Sequence, residues 1–238
     1  MKNSAPKLFF ITLLALSSVF ASAASAQQKD EYDMGLMQLV FLHDAPGWKP
    51  TDEAHAARLR AEHRAFVNGL VEGGRLALGG PVGGEGGLRE IMVFKAGTLA
   101  EALSAVAESP AVKAGMLRPD GLSWYAARNY ITPPKKPLAM KEYVFGLLVR
   151  GPKWTREVTE ATKKLQEGHM ANINRLAQEG KLVLAGPFEG DGDRRGVFIF
   201  KVGTLAEAQA LTDTDPAVAA GRLKIELHRW SVPEGMLR

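Results

Sequence analysis

The sequence predicts an α+β protein: two ferredoxin-like βαββαβ repeats packed sheet to sheet as an intramolecular α+β barrel pair. Three observations lead there. An internal repeat runs at a constant offset of 106 positions, each copy alternates short apolar runs with helical patterns, and the strand segments are apolar on both faces.

The repeat is read directly from the chain. His63 aligns with His169, Gly80-Pro81 with Gly186-Pro187, KAGTLAEA from Lys95 with KVGTLAEA from Lys201, and Trp124 with Trp230. Over the 63 positions from His63 to Tyr125 there are 27 identities and no gap, and Trp48 and Trp154 keep the same offset. This is a tandem duplication, with copies at 35–127 and 142–232. The segment 128–141 between them is rich in proline, which denies it a helix interior and favours extended backbone.

Each copy opens on a short apolar run, Met37 to Leu42 or Tyr143 to Val149, consistent with a strand. A helical pattern follows to Glu72 or Glu179, and Gly74 or Gly180 stands where the chain must leave the helix. Arg75 to Gly80 and Lys181 to Gly186 read as second strands. A glycine-rich turn leads to third strands at Glu90 to Ala96 and Gly196 to Val202. Thr98 and Thr204, with Glu101 and Glu207 three positions on, give the capping-box pattern of a second helix. A last strand carries Trp124 or Trp230. Right-handed crossovers put both helices on one sheet face. The other face is apolar as well and needs a cover, which the matching face of the second copy supplies economically.

The chain begins with Lys2 and Lys7, a mostly apolar stretch from Leu8 to Phe20, and Ala24-Ser25-Ala26. That is the three-part pattern of a signal peptide over residues 1–26, which predicts a secreted, periplasmic protein with no stable membrane span after cleavage. The chain has no cysteine, which excludes disulfides, thiolate metal sites and cysteine nucleophiles. The net charge is +4, and Lys2 and Lys7 supply two of those charges, so no nucleic-acid partner is expected. Pairing within one chain replaces a homodimer and predicts a monomer.

His63 shares a helix face with Phe66, Val67 and Leu70, and His169 with Asn172, Ile173 and Leu176. Both imidazoles therefore point toward the sheet. On these residues, with AGPF, GVFIFKVGTLAEAQAL and DTDPAVAAGRL, the second copy from Tyr143 to Trp230 resembles the YCII-related family. The resemblance implies a dimeric α+β barrel with a His–Asp pair as its active centre. One relative is a dehydrochlorinase of a chlorinated hydroxyquinone that uses no metal or organic cofactor. Carried over, the pair is His169 and Asp215, and no cofactor is expected. A carboxylate that accepts one imidazole N–H fixes the tautomer and leaves the other nitrogen as a general base.

The first copy departs from this pattern, with Ser109 in the place of Asp215. His63, Ser109, Gly186 and Pro187 are candidate substrate-binding residues. His43, His55 and His63 are close in sequence, but His43 and His55 correspond to Val149 and Ala161, so no metal site is expected. The glycine-dense stretch from Gly79 to Gly87 lacks a following Lys-Ser/Thr and reads as a hairpin turn, not a phosphate loop. The sequence expectation is a cofactor-independent, lyase- or isomerase-like enzyme acting on a small hydroxylated or cyclic molecule. The alternative is a non-catalytic ligand-binding or scaffold protein. A haem or monooxygenase activity has only fold analogy behind it.

Overall fold

A computed structural model describes residues 32–84, 86–95, 97–132 and 139–237. The predicted signal segment 1–26 and residues 133–138 of the proline-rich linker lie outside the described residues. The first half comprises β1 (Met34–Asp44), α1 (Glu53–Glu72), β2 (Leu78–Gly83), β3 (Leu88–Phe94), α2 (Leu99–Ala107), α3 (Pro110–Lys113) and β4 (Leu117–Ala127). The second half repeats this order with β5 (Met140–Arg150), α4 (Glu160–Gln178), β6 (Leu182–Pro187), β7 (Arg194–Phe200), α5 (Leu205–Asp213), α6 (Pro216–Ala219) and β8 (Leu223–Pro233).

The predicted starts and stops operate as local chemistry. Thr98 and Thr204 accept from the N–H groups of Glu101 and Glu207, three residues on. The Glu101 carboxylate returns to the Thr98 N–H, completing that capping box; Glu207 instead accepts from the Gly203 N–H and from Lys181 Nζ. Gly74 and Gly180 leave the long helices at φ +69° and +67°, a left-handed conformation that glycine adopts without Cβ strain. The short helices α3 and α6 are not separable from their neighbours by sequence pattern. Each begins with a proline at its first position, which needs no N–H there.

The eight strands form one antiparallel sheet in the order β4-β1-β3-β2-β8-β5-β7-β6. Each half thus has its first strand at an interior position, as a split βαβ unit requires. The halves also meet at their edges. Strand β2 pairs with β8 through Val82 and Trp230, while Trp124 bridges Phe188 and the Glu189 N–H reaches the Ser123 carbonyl at 2.8 Å. The sheet is nearly closed into a barrel, which leaves few unpaired edges.

Side-chain parity explains why the strands are apolar on both faces. Leu39, Phe41, Ile91 and Val93 belong to the cluster inside the barrel with Phe145, Val197 and Ile199 from the second half. The intervening Val40, Leu42, Met92 and Phe94 pack under the first half's helices with Val67, Leu70 and Val106. Trp124 and Trp230 are wholly buried. The chain after β4 makes a 3-10 turn at Arg128–Tyr130, and Ile131 then pairs with Leu237 beside the carboxyl-terminal end.

Candidate functional site

Helix α4 lays Asn172, Ile173 and Leu176 against the sheet, one to two turns beyond His169. The imidazole lies over Phe198 of β7, ring centroids 5.8 Å apart and planes 15° from parallel. Gly168, directly before the histidine, lets α6 come close, since a Cβ there would meet Pro216 Cγ at 2.9 Å. Asp215 precedes that proline as the N-cap of α6. Its Oδ1 accepts from the Ala217 N–H at 2.9 Å, and its Oδ2 lies 2.6 Å from His169 Nδ1.

Asp215 is fully buried, whereas the His169 side chain keeps 12% of its exposure. Burial pushes the Asp215 carboxyl upward. The His169 hydrogen bond and charge, the Ala217 N–H and the Asn172 amide outweigh it and hold the pKa below the usual carboxylate value. A carboxylate accepting at Nδ1 assigns the proton to that nitrogen. It leaves His169 Nε2, which has no hydrogen-bond partner among the described residues, as the nitrogen able to take a proton.

The first half is built differently around its histidine. His63 Nδ1 lies 2.7 Å from Ser109 Oγ, the position equivalent to Asp215, and its Nε2 lies 2.6 Å from Glu90 Oε2 on β3. Serine, histidine and glutamate in this order resemble the parts of an acyl-transfer triad. Ser109, however, is fully buried, and both ring nitrogens are occupied, so Oγ has no approach for a substrate. His63 and Ser109, both candidate substrate-binding residues by sequence, are thus held together with Glu90 in a closed polar cluster.

Gly186 and Pro187 point to opposite faces. Residues paired directly across an antiparallel ladder share a face. Gly186 is paired with Val197 of the barrel interior and Pro187 with Gly196 of the helix-facing side. Gly186 serves the seam between the halves. Its carbonyl accepts from Trp124 Nε1 at 3.1 Å, and a Cβ on it would fall on the Tyr125 carbonyl oxygen. Pro187 is exposed, opposite Gly196 on the face that carries Phe198 and His169.

Sequence reasoning missed Glu90, Gly168, Gly196 and Phe198. One signal was available: at the offset of 106, Glu90 falls on Gly196, so the duplicated pattern differs at that position. His43, His55 and His63 go to separate places. His43 lies 3.2 Å from Asp120, His55 bonds Thr51 Oγ1 at 3.0 Å, and no group of three or more His, Cys, Asp or Glu able to hold a metal occurs among the described residues. Arg150, Arg195 and Arg222 lie over the Trp154 ring at 5.2, 4.8 and 4.4 Å. No helix among the described residues is long and apolar enough to cross a membrane.

Residues 147–231 match the YCII-related domain. The second half is a YCII-related domain. The matched stretch holds His169, Asp215, Gly186 and Pro187. No curated protein matches the chain. Among solved structures, a chlorite dismutase from Candidatus Nitrospira defluvii is similar at a TM-score of 0.55 and 13% identity, over 86% of this chain and 94% of that one. A protein described as a novel heme-binding protein from Thermus thermophilus is similar at 0.53 and 15%, over 84% and 91%. At such identity the likeness is one of fold, and it covers both halves.

Proposed function

We propose that the second half carries a cofactor-independent active site in which His169, oriented by Asp215, is the general base toward a small hydroxylated or cyclic organic molecule, in a lyase- or isomerase-like reaction. One observation carries this reading: a buried carboxylate 2.6 Å from Nδ1 beside an Nε2 with no partner among the described residues. The carboxylate fixes ring and tautomer, so Nε2 presents its lone pair to a bound C–H or O–H acid. The first half, a diverged copy in a tandem duplication, closes the barrel and supports the site. The signal-like pattern of residues 1–26 supports the periplasm as the working compartment in this reading.

The test is turnover of a panel of small phenols, hydroxyquinones and cyclic hydroxyketones, followed by proton exchange or elimination. His169→Ala is expected to lower the rate by about 10²- to 10⁴-fold. Unchanged turnover in that variant would end the proposal. Haemin titration supplies a separate check: a haem spectrum that vanishes in His169→Ala would replace the cofactor-free mechanism. The second reading, a ligand-binding or scaffold protein, draws on His63, whose two nitrogens are both engaged inside the protein. It predicts ligand binding without turnover.

A further inference from the structure

The two histidines are anchored alike and finished differently. Ser109 Oγ and Asp215 Oδ2 hold the same ring nitrogen, Nδ1, at 2.7 and 2.6 Å, from equivalent positions before α3 and α6. Rings fixed by the same atom, on equivalent helices, direct Nε2 toward the same place on the third strand of their half. In the first half a carboxylate fills that place, with Glu90 Oε2 at 2.6 Å and 7% exposure. In the second half the equivalent residue is Gly196, which has no side chain to offer. A Cβ there would come within 2.6 Å of the Gly186 carbonyl oxygen and 3.3 Å of Pro187 Cα, so the backbone itself keeps the position free of side chains.

We infer that Glu90 marks the place of a ligand's acidic oxygen, and that the His169 site selects a small oxygen acid, a phenol or enol, whose oxygen lies on Nε2 where the first half has the Glu90 carboxylate. The inference rests on the reading of His169 as the working base and names the group on which it acts. In the step, the ligand O–H bond breaks, the Nε2–H bond forms, and the electron pair stays on oxygen. The resulting oxyanion stands on Nε2 as the Glu90 carboxyl oxygen stands on His63 Nε2, with Asp215 stabilising the imidazolium of His169 from Nδ1. Gly196 sets specificity by offering Nε2 no carboxylate of the protein's own, and the stacked Phe198 ring holds the imidazole plane in place.

The test uses 4-nitrophenol, whose phenolate absorbs visible light, and 4-nitroanisole, which has the same ring and no acidic proton. Below the phenol's own pKa, binding to the intact chain is expected to raise phenolate absorbance with one equivalent bound, and nitroanisole to bind at least tenfold more weakly. His169→Gln is expected to abolish the absorbance change. Glu90→Gly is expected to add a second equivalent at His63, with Glu90→Ala as the substitute if the glycine variant does not fold. Equal binding of nitroanisole, saturation without phenolate, an unaffected His169→Gln or a stoichiometry of one in a folded Glu90 variant would each overturn the inference. Phenolate formation without turnover of any substrate would leave this site standing and remove the catalytic reading. Turnover without phenolate formation would remove this inference alone.

Discussion

The indole N–H of Trp124, in the last strand of the first half, donates to the carbonyl oxygen of Gly186 in the second half at 3.1 Å. Trp230 answers it across the other seam, donating to Gly80 at the same distance. Both rings are fully buried, so each N–H would otherwise be an unpaired donor in the core. The neighbouring strand comes so close that a Cβ on Gly186 or Gly80 would fall on the carbonyl oxygen of Tyr125 or Ser231. Gly186→Ala and Gly80→Ala are each expected to cost about 1–3 kcal/mol or more, since backbone and not a flexible side chain must move. Denaturant unfolding measures this. A stable Gly186→Ala protein that has lost only ligand binding would show that the glycine serves the ligand and not the seam.

Asp215 gives a pH-dependent prediction. Its folded pKa lies below the ordinary value, so the unfolded chain binds the proton more readily. The stabilisation is therefore present above the unfolded pKa of about 4 and is lost as pH falls through the folded value. Asp215→Asn keeps the shape of the cap but removes the charge, and is expected to cost about 1.5–3 kcal/mol near pH 7. The gap between wild type and variant is expected to close as the pH falls below about 4. A gap independent of pH between 7 and 3 would mean that the carboxylate charge is not what stabilises.

Much of this was legible in the sequence because it is local or periodic. Gly74, Gly180, Thr98 and Thr204 act within a few residues of themselves, and the face shared by His169, Ile173 and Leu176 follows from the helical repeat. The pairing of His169 with Asp215 came through the family resemblance. The role of Gly186 is not legible in the sequence, because Gly-Pro at a strand end reads the same whether a ligand or another strand approaches it. What fills that space is the Tyr125 backbone, 61 positions away, which only the closed barrel brings there. Glu90 was missed for a similar reason. Its reach to His63 depends on which strand lies under α1 and on side-chain parity along it, neither of which a single strand's composition specifies.

His228 of β8 predicts a second pH effect at milder acidity. Burial lowers its pKa, the nearby charge of His43 lowers it further, and Glu226 opposes them. The unfolded chain therefore takes up a proton that the folded one holds less firmly. This penalty is absent well above the unfolded pKa of about 6.5 and grows as pH falls from there toward the folded value, by at most about 1.4 kcal/mol per pH unit. His228→Gln is expected to flatten the fall in thermal stability between pH 7 and 5. A slope the same as wild type would assign the fall to other groups.

The last prediction joins the two polar clusters. His63 can carry at most one positive charge, and Glu90 already lies on its Nε2. Ser109→Asp would bring a second carboxylate to Nδ1 at a fully buried position, leaving one negative charge without a partner. That is expected to cost about 3–5 kcal/mol. Glu90→Gly alone breaks the buried His63–Glu90 contact and weakens β3. Together the two changes install the arrangement of the second half, one imidazole with one carboxylate at Nδ1. The double variant is therefore expected to be more stable than the sum of the single losses predicts, by up to about 3 kcal/mol in a double-mutant cycle. Additive losses would mean that the two carboxylates do not compete for the same charge, and that the equivalence of the His63 and His169 sites is one of position only.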